Sequence, residues 1–268
     1  WNTQRALCRT SISYSRVAQD LFRDNRKWQF VDARGVDFSG MNLDGACFTG
    51  ADLTNAIFKN ASLKGAVFTK ATLTNVDFSG ADLTGAHLEG AILNGVDLHK
   101  AKTLSRAYLG GITLDKANLS TLDMSGAQLQ GGSYTNWDGH SFELFSPASL
   151  NRAYMYNTRL NGADLSGAYF NHASWFGESA TGENAIMAGT HFEHADMPGL
   201  NLMKAHLQGA NFTDAVLVNA NLSTFNSTDY SFDGTIFLQT NLKGANLSGA
   251  NLNKAALYDA YIYAGQTQ

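Results

Sequence analysis

A large apolar residue recurs at every fifth position along most of the chain after residue 35. Between Val36 and Lys100 it fills thirteen successive positions. A small residue, most often alanine, stands two positions before each of them. A period of five fits neither the 3.6 residues per turn of an α-helix nor the two-residue alternation of a strand. The pattern predicts a chain that turns two side chains inward, makes a corner and repeats.

The repeated unit is alanine, then Asp or Asn, then Leu or Phe, then two mostly polar or small residues. This motif is similar to that of the pentapeptide-repeat family, and the resemblance covers nearly the whole chain after residue 35. It implies an all-β fold, a right-handed parallel quadrilateral β-helix with four pentapeptides in each coil. The residues themselves agree, because one coil cannot bury its own apolar side chains and coils must therefore stack.

Four repeats to a coil place residues that are twenty apart on top of each other. The expected core columns are Phe38, Phe58 and Phe78; Phe48 and Phe68; Leu43, Leu63 and Leu83; and, as a ladder of amides, Asn201, Asn221 and Asn241. Phenylalanine on two opposed walls and leucine on the other two would fill a square interior. In the ladder, each amide would bond to the next one along the shaft.

The chain divides into two predicted parts. Residues 1–35 lack the five-residue period and combine apolar residues with Arg and Asp, which predicts an N-terminal α-helical cap over the open end of the solenoid. A basic arm for an acidic partner is the alternative. Residues 36–268 are predicted to form the β-helix.

Three stretches break the period, near 100–103, 135–148 and 176–184. The first is a one-residue insertion, which predicts a bulge. The second is either an eleven-residue projecting loop or a distorted stretch of coil with one extra residue. The third is polar and contains glycine. From Met187 onward the period is expected to continue unbroken to the end.

Charge and cysteine content refine this picture. The net charge is −4, but residues 1–35 carry seven basic and three acidic groups, whereas the remainder carries twelve basic and twenty acidic groups. An acidic shaft thus follows a basic head. The two cysteines, Cys8 and Cys47, indicate neither a disulfide framework nor a metal-binding spacing.

No catalytic motif is present in the sequence, so we expect a non-enzymatic protein without a cofactor. His172, His194 and Asp214 are expected to stack in one outward column with Arg152, and His191 and Glu193 are expected beside it. Such a column could bind a metal or act as a pH-sensitive patch, but a surface column without function is the favoured interpretation. Irregular stretches on a regular scaffold tend to carry recognition. The partner-binding candidates therefore lie in the breaks: Trp137, His140, Phe142, Phe145, Phe176, Glu178 and Glu183.

Two functions follow from these expectations. The favoured one is a rigid scaffold that presents loops and faces to a protein partner, as a domain of a larger, effector-like bacterial protein. The alternative, implied by the resemblance, is an acidic DNA mimic that binds DNA gyrase and protects it from quinolones or toxins. Neither requires direct nucleic-acid binding or a membrane span. The absence of a signal-peptide pattern predicts the bacterial cytoplasm, or a host cytosol for an effector. The C-terminal coil is a candidate for end-to-end dimerisation.

Overall fold

The computed structural model describes residues 29–114, 117–130, 146–223, 235, 237, 240, 242, 245–247 and 255–260, together with the backbone of two strands, Gly132–Thr135 and Phe142–Phe145. Parallel single-residue bridges join positions twenty apart, for example Asp52 to Thr72 and Thr72 to Ile92. A coil of twenty residues holds four pentapeptides. This confirms the all-β quadrilateral β-helix.

The β-helix begins earlier than the sequence predicts. Asp32 already bridges to Asp52, and Ala33 is buried at 2% exposure. The coil therefore includes residues that the period assigned to the cap, because the inward position there holds Ala33 instead of a large residue. The predicted helical cap itself falls in residues 1–28, outside the described part of the chain.

The four walls of the coil are called faces 1 to 4 in chain order, and each is identified by its inward residues. Face 1 contains Phe38, Phe58 and Phe78; face 2 Leu43, Leu63 and Leu83; face 3 Phe48, Phe68 and Leu88; face 4 Leu53, Leu73 and Leu93, all buried to within 7% exposure. Phe38 and Phe58 stack at 4.7 Å between ring centroids, and Phe48 and Phe68 at 5.0 Å. Rings from the two faces meet edge to face, as Phe38 and Phe48 do at 5.8 Å.

The motif explains how each corner is made. The Asp or Asn before the inward residue accepts a hydrogen bond from the backbone two residues later, as Asp52 Oδ1 does from Thr54 N at 3.1 Å. This Asx turn is a local alternative to a backbone turn. The second corner residue adopts the left-handed conformation, with φ of 60° at Asn55 and 68° at Gly40. Glycine and asparagine tolerate that conformation best.

The first break is a bulge. A 3₁₀ turn covers Leu98–Lys100, and Asp82 pairs with Thr103 at a spacing of twenty-one residues instead of twenty. Leu98 remains buried at 1% exposure. One extra residue is thus absorbed at the corner between faces 1 and 2.

The second break is a projecting β-hairpin, which decides between the two alternatives. Strands β1 (Gly132–Thr135) and β2 (Phe142–Phe145) pair antiparallel, with Gly132 opposite Phe145. Across the hairpin, coil residues pair at a spacing of thirty-six, as Gln128 does with Asp164. Sixteen residues, not eleven, therefore leave the coil. Tyr134, which fits the five-residue period, lies in β1 and not in the shaft.

The third break remains in the coil. Residues on either side of it pair at a spacing of twenty-two, as Tyr169 does with His191. Trp175 is buried at 1% exposure and its Nε1 donates to Thr158 O at 3.0 Å. Gly182 takes the next inward position, where a Cβ would lie 2.8 Å from the Trp175 ring. The large Trp175 side chain thus also fills the space of the next inward position, where Gly182 has no side chain.

A fourth insertion lies beyond Met187; it leaves the expected five-residue period unbroken but changes which residues stack. Phe212 stacks on Phe237, twenty-five residues later, at 5.3 Å. Asn221 bonds to Asn201 at 3.2 Å on one side and to Asn246 at 3.4 Å on the other. The predicted ladder partner Asn241 lies outside the described residues. Five extra residues are therefore present between Leu222 and Thr235, and a multiple of five leaves the period unchanged.

Cys47 also differs from expectation. It is fully buried and disulfide-bonded, and its Sγ accepts from Gln29 Nε2 at 3.3 Å. The chain's other cysteine, Cys8, lies outside the described residues. Sequence spacing carried no signal for this bond.

Candidate functional site

The hairpin projects from the corner between faces 3 and 4. Its base is closed by a backbone hydrogen bond from Ala148 N to Leu129 O at 2.8 Å, the same bond that closes ordinary corners such as Ala127 N to Met124 O at 3.0 Å. The shaft is thus continuous beneath the hairpin. Of the candidates here, Phe142 and Phe145 lie on β2, whereas Trp137 and His140 are outside the described residues.

The candidates of the third break lie on the other side of the shaft. Phe176 is half-buried on face 1, with its ring centroid 5.9 Å from that of Tyr154 and 5.6 Å from that of Tyr156. Glu178 is exposed at the corner between faces 1 and 2, and Glu183 is half-buried on face 2. The two breaks occupy diagonally opposite corners, so the candidate residues do not form one site.

Tyr154 and Tyr156 are not among the candidates predicted from the sequence, although their apolar character at outward positions of the repeat marks them. They belong to an apolar group at positions where the repeat usually carries Ser, Thr, Lys or Asn. The positions after the inward residue of face 1 are, in successive coils, Tyr156, Phe176, Pro198 and Val218. Tyr154 and Tyr156 are 46% and 39% exposed.

The histidine column exists as stacked rings. His172 and His194 stack at 4.7 Å between centroids, with an angle of 10° between the planes. His194 Nδ1 lies 3.5 Å from Asp214 Oδ2. Across the described part of the chain, no three His, Cys, Asp or Glu side chains converge as metal ligands would.

A polar cluster on face 4 lies beside this column, as the sequence predicts for His191 and Glu193. His191 stacks on Tyr169 at 4.7 Å and its Nδ1 lies 3.2 Å from Glu193 Oε1. Asn211 Nδ2 donates to the same carboxylate oxygen at 2.7 Å. The second oxygen, Glu193 Oε2, is buried without a hydrogen-bond partner among the described residues.

Basic side chains pair with several carboxylates of the acidic shaft. Asp82 lies between Lys102 and Lys64, at 3.2 and 3.8 Å. Arg159 lies 3.3 Å from Asp123. The other described pairings with Lys or Arg are those of Asp32, Asp52 and Asp97. Neutral residues also interrupt the columns of acidic side chains, so the described part of the shaft carries no continuous acidic stripe.

Hydrogen bonds also stabilise the ionised carboxylates of the corners. The Arg34 side chain lowers the pKa of Asp32 to about 2. The Ser39 and Ser79 side chains lower the pKa values of Asp37 and Asp77. These carboxylates thus stay charged at neutral pH.

Among the described residues, no helix has the length and apolar content needed to cross a membrane.

Comparison with known proteins agrees with this geometry. A family model for pentapeptide repeats matches the chain in eight copies, over residues 29–60, 61–99, 103–133, 146–174, 185–223 and 231–261. No curated protein matches the chain.

Solved structures of similar proteins share the repeat. HetL from the cyanobacterium Nostoc, involved in the regulation of heterocyst differentiation, is 24% identical over 92% of this chain and 95% of its own, with a TM-score of 0.26. A protein of the Arabidopsis thaliana thylakoid lumen is 27% identical over 55% of this chain and 69% of its own, with a TM-score of 0.28. QnrB1, a plasmid-mediated fluoroquinolone resistance protein, is 16% identical over 88% of this chain and 86% of its own, with a TM-score of 0.33.

Proposed function

Because the chain belongs to the pentapeptide-repeat family, we propose that it is a non-enzymatic interaction scaffold, a rigid β-helix that presents its hairpin to a protein partner. The chain would act as a domain of a larger bacterial protein, in the bacterial cytoplasm or, for an effector, in a host cytosol. Its partner is another protein rather than a nucleic acid.

The hairpin is the observation that supports this proposal. Coils on either side of the sixteen-residue excursion pair with each other directly. In its described part, the pairing contact with a neighbouring coil is at the base, where Ser146 O accepts from Gly111 N at 2.7 Å. Its sequence is nevertheless rich in aromatic residues, with Tyr134, Trp137, Phe142 and Phe145. Aromatic side chains dominate the energetics of protein interfaces. An element outside the coil and with this composition fits a recognition element on a rigid support.

Deletion of Gly132–Pro147 tests the proposal. It joins Gly131 to Ala148 and so restores an uninterrupted run of pentapeptides, AQLQG followed by ASLNR. Affinity capture from cell lysate, quantified by mass spectrometry, should show one or more proteins that bind the intact chain and are lost with the deletion variant. Identical captured sets for both proteins would contradict a role of the hairpin in binding.

The DNA-mimic function remains the alternative, and the net acidity of the shaft supports it. A mimic of duplex DNA needs a regular row of uncompensated negative charge. Neutral residues interrupt the described columns of carboxylates, and some of the carboxylates, such as Asp82 and Asp123, pair with Lys102 and Arg159. This arrangement favours the scaffold.

A further inference from the structure

Six apolar side chains, two exposed and four half-buried, form an outward-facing surface on face 1, the face 1 patch: Tyr154, Tyr156, Phe176, Pro198, Val216 and Val218. It spans four successive coils, which bridge from Tyr154 to Ser174, Asp196 and Val216. On face 2 of the same coils, the corresponding corner positions are Asn161, Glu183, Met203 and Ser223. A contiguous apolar surface on a soluble fold marks an interaction site.

The residues of the patch are arranged so that it complements a copy of itself. We propose that the face 1 patch binds the face 1 patch of a second copy of this chain, with antiparallel shafts related by a two-fold axis between Phe176 and Pro198. An isologous interface requires that each residue meets its symmetry-related counterpart in the partner copy. The order of side chains along face 1 meets that requirement in two independent columns and along one edge.

The apolar column pairs apolar residues with apolar residues. In the antiparallel arrangement, the partner copy presents the same column in the opposite order. Tyr156 then lies against Val218, and Phe176 lies against Pro198. In the second column, Tyr154 meets Val216, and Ser174 meets Asp196, whose carboxylate can accept a hydrogen bond from the serine hydroxyl.

The charges along the edge of the patch follow the same reversal. Arg152, His172, His194 and Asp214 occupy equivalent left-handed corner positions in four successive coils, with φ between 56° and 60°. The antiparallel arrangement places Arg152 of one copy opposite Asp214 of the other, twice in each dimer. The two histidines meet at the centre.

The parallel arrangement of the two shafts is less favourable. It would place Pro198 against the Asp196 carboxylate and Phe176 against Ser174, burying a charge against an apolar ring.

The interface is small. Four coils span about 19 Å at ~4.8 Å per rung, so the buried area falls in the class of weak, concentration-dependent interfaces. The hairpin lies at the corner diagonal to the third break and away from face 1, so a dimer would display two hairpins and bind a multivalent partner with avidity.

Sedimentation equilibrium over a range of concentrations up to about millimolar measures the association. We expect a monomer–dimer equilibrium that Phe176→Ser weakens at least about tenfold, since truncating a central aromatic anchor removes a hot spot. Ile186→Ser, at an exposed apolar residue on face 3 (43% exposed), should leave it unchanged. A monomer at every concentration, or equal loss in both variants, would overturn the proposal.

Charge reversal tests the register. Arg152→Asp and Asp214→Arg should each weaken the dimer, because each creates two like-charge contacts. The double variant should restore it, since both ion pairs are re-formed with reversed sign. Failure of the double variant to associate better than either single variant would contradict the antiparallel register.

Spin labels distinguish the antiparallel pair from other dimers. Cys47 is already disulfide-bonded, so a single cysteine at Lys59 or at Glu178 carries the label. For Lys59, about 5.5 rungs from the axis, we expect a separation near 50 Å between copies at ~4.8 Å per rung. For Glu178, beside the axis, we expect a short one. Short distances at both positions indicate parallel shafts, and long distances at both indicate end-to-end contact through the C-terminal coil. Either result would refute the proposal.

Discussion

At the scale of single residues, Gly182 is the least predictable position of the core. The repeat favours leucine there, since face 2 has leucine at this position in each coil of the regular first segment. The structure shows instead that Trp175 fills the space, with the Trp175 ring, Met187 and Leu202 within 3.0 Å of a Cβ built on Gly182. Local sequence identifies the inward position but not the volume left for it.

We therefore expect Gly182→Leu, although it restores the motif, to destabilise the protein by about 1–3 kcal/mol through overpacking. Urea denaturation measures the loss. Combining it with Trp175→Leu should recover much of the loss, because the two positions share one volume and contacting sites are not additive. A stabilised Gly182→Leu single variant would show that the shared-volume explanation is wrong.

Acid sensitivity also arises at the residue scale. The Ser79 side chain holds the pKa of Asp77 below its ordinary value, and the Arg34 side chain holds that of Asp32 at about 2. A lowered folded-state pKa means that the unfolded chain binds more protons, so protonation favours unfolding. This stability is fully present above the unfolded value of about 3.9 and is lost as the pH falls through the folded values.

Urea midpoints measured from pH 6 to pH 2 should therefore be level above about pH 5 and fall steadily below pH 4. Asp77→Asn keeps a hydrogen-bond acceptor but removes the titrating group. Its curve should be flatter in the acid range than that of the unmodified protein. Identical slopes for the two proteins would contradict a contribution from Asp77.

At the scale of elements, the hairpin shows how far the period predicts structure. The period locates the break between Leu129 and Leu150 but also fits Tyr134, which the structure places in β1. One apolar residue at the expected spacing carries no information about whether the chain continues the coil. Only pairing across the break, Gln128 with Asp164, shows that the coil closes without it.

The same observation predicts that the shaft tolerates loss of the hairpin. Deleting Gly132–Pro147 should change the free energy of unfolding by less than about 1 kcal/mol, because shortening a loop reduces its closure entropy. The coil bond that it removes, Gly111 N to Ser146 O, can be replaced by Gln130 O, which follows Gly111 at the spacing of ordinary corners. Thermal unfolding followed by circular dichroism measures this. As a control, Trp175→Ala should cost about 3–5 kcal/mol. A loss from the deletion as large as that control would indicate that the hairpin supports the shaft.

At the scale of the whole molecule, charge distribution separates the two candidate functions. Net acidity is a property of composition, whereas mimicry of DNA requires a spatial row of unpaired charge. Asp82 pairs with Lys102 and Asp123 with Arg159 across neighbouring coils. The first spacing, twenty residues, is set by the size of the coil, and the second, thirty-six residues, by the coil and the hairpin together. The sequence alone gave no indication of these pairings.

We therefore expect no protection of DNA gyrase. In a supercoiling assay with a quinolone, micromolar protein should leave the inhibitor concentration for half-inhibition unchanged. A known gyrase-protecting protein serves as the positive control. Recovery of supercoiling by this chain would favour the mimic over the scaffold.

The sequence by itself determined the coil: its four faces, its inward residues and the stacking of Phe38 on Phe58, because one local preference is repeated until coils must stack to bury it. Tertiary structure decided which residues lie on neighbouring coils, because those neighbours depend on the length of each insertion. An extra five residues leave the period intact, yet they move Asn246 onto Asn221. Outward neighbours across a break, such as Phe176 and Tyr154, likewise follow from which coil lies above which. A period measured along the chain does not specify contacts between coils once their lengths differ.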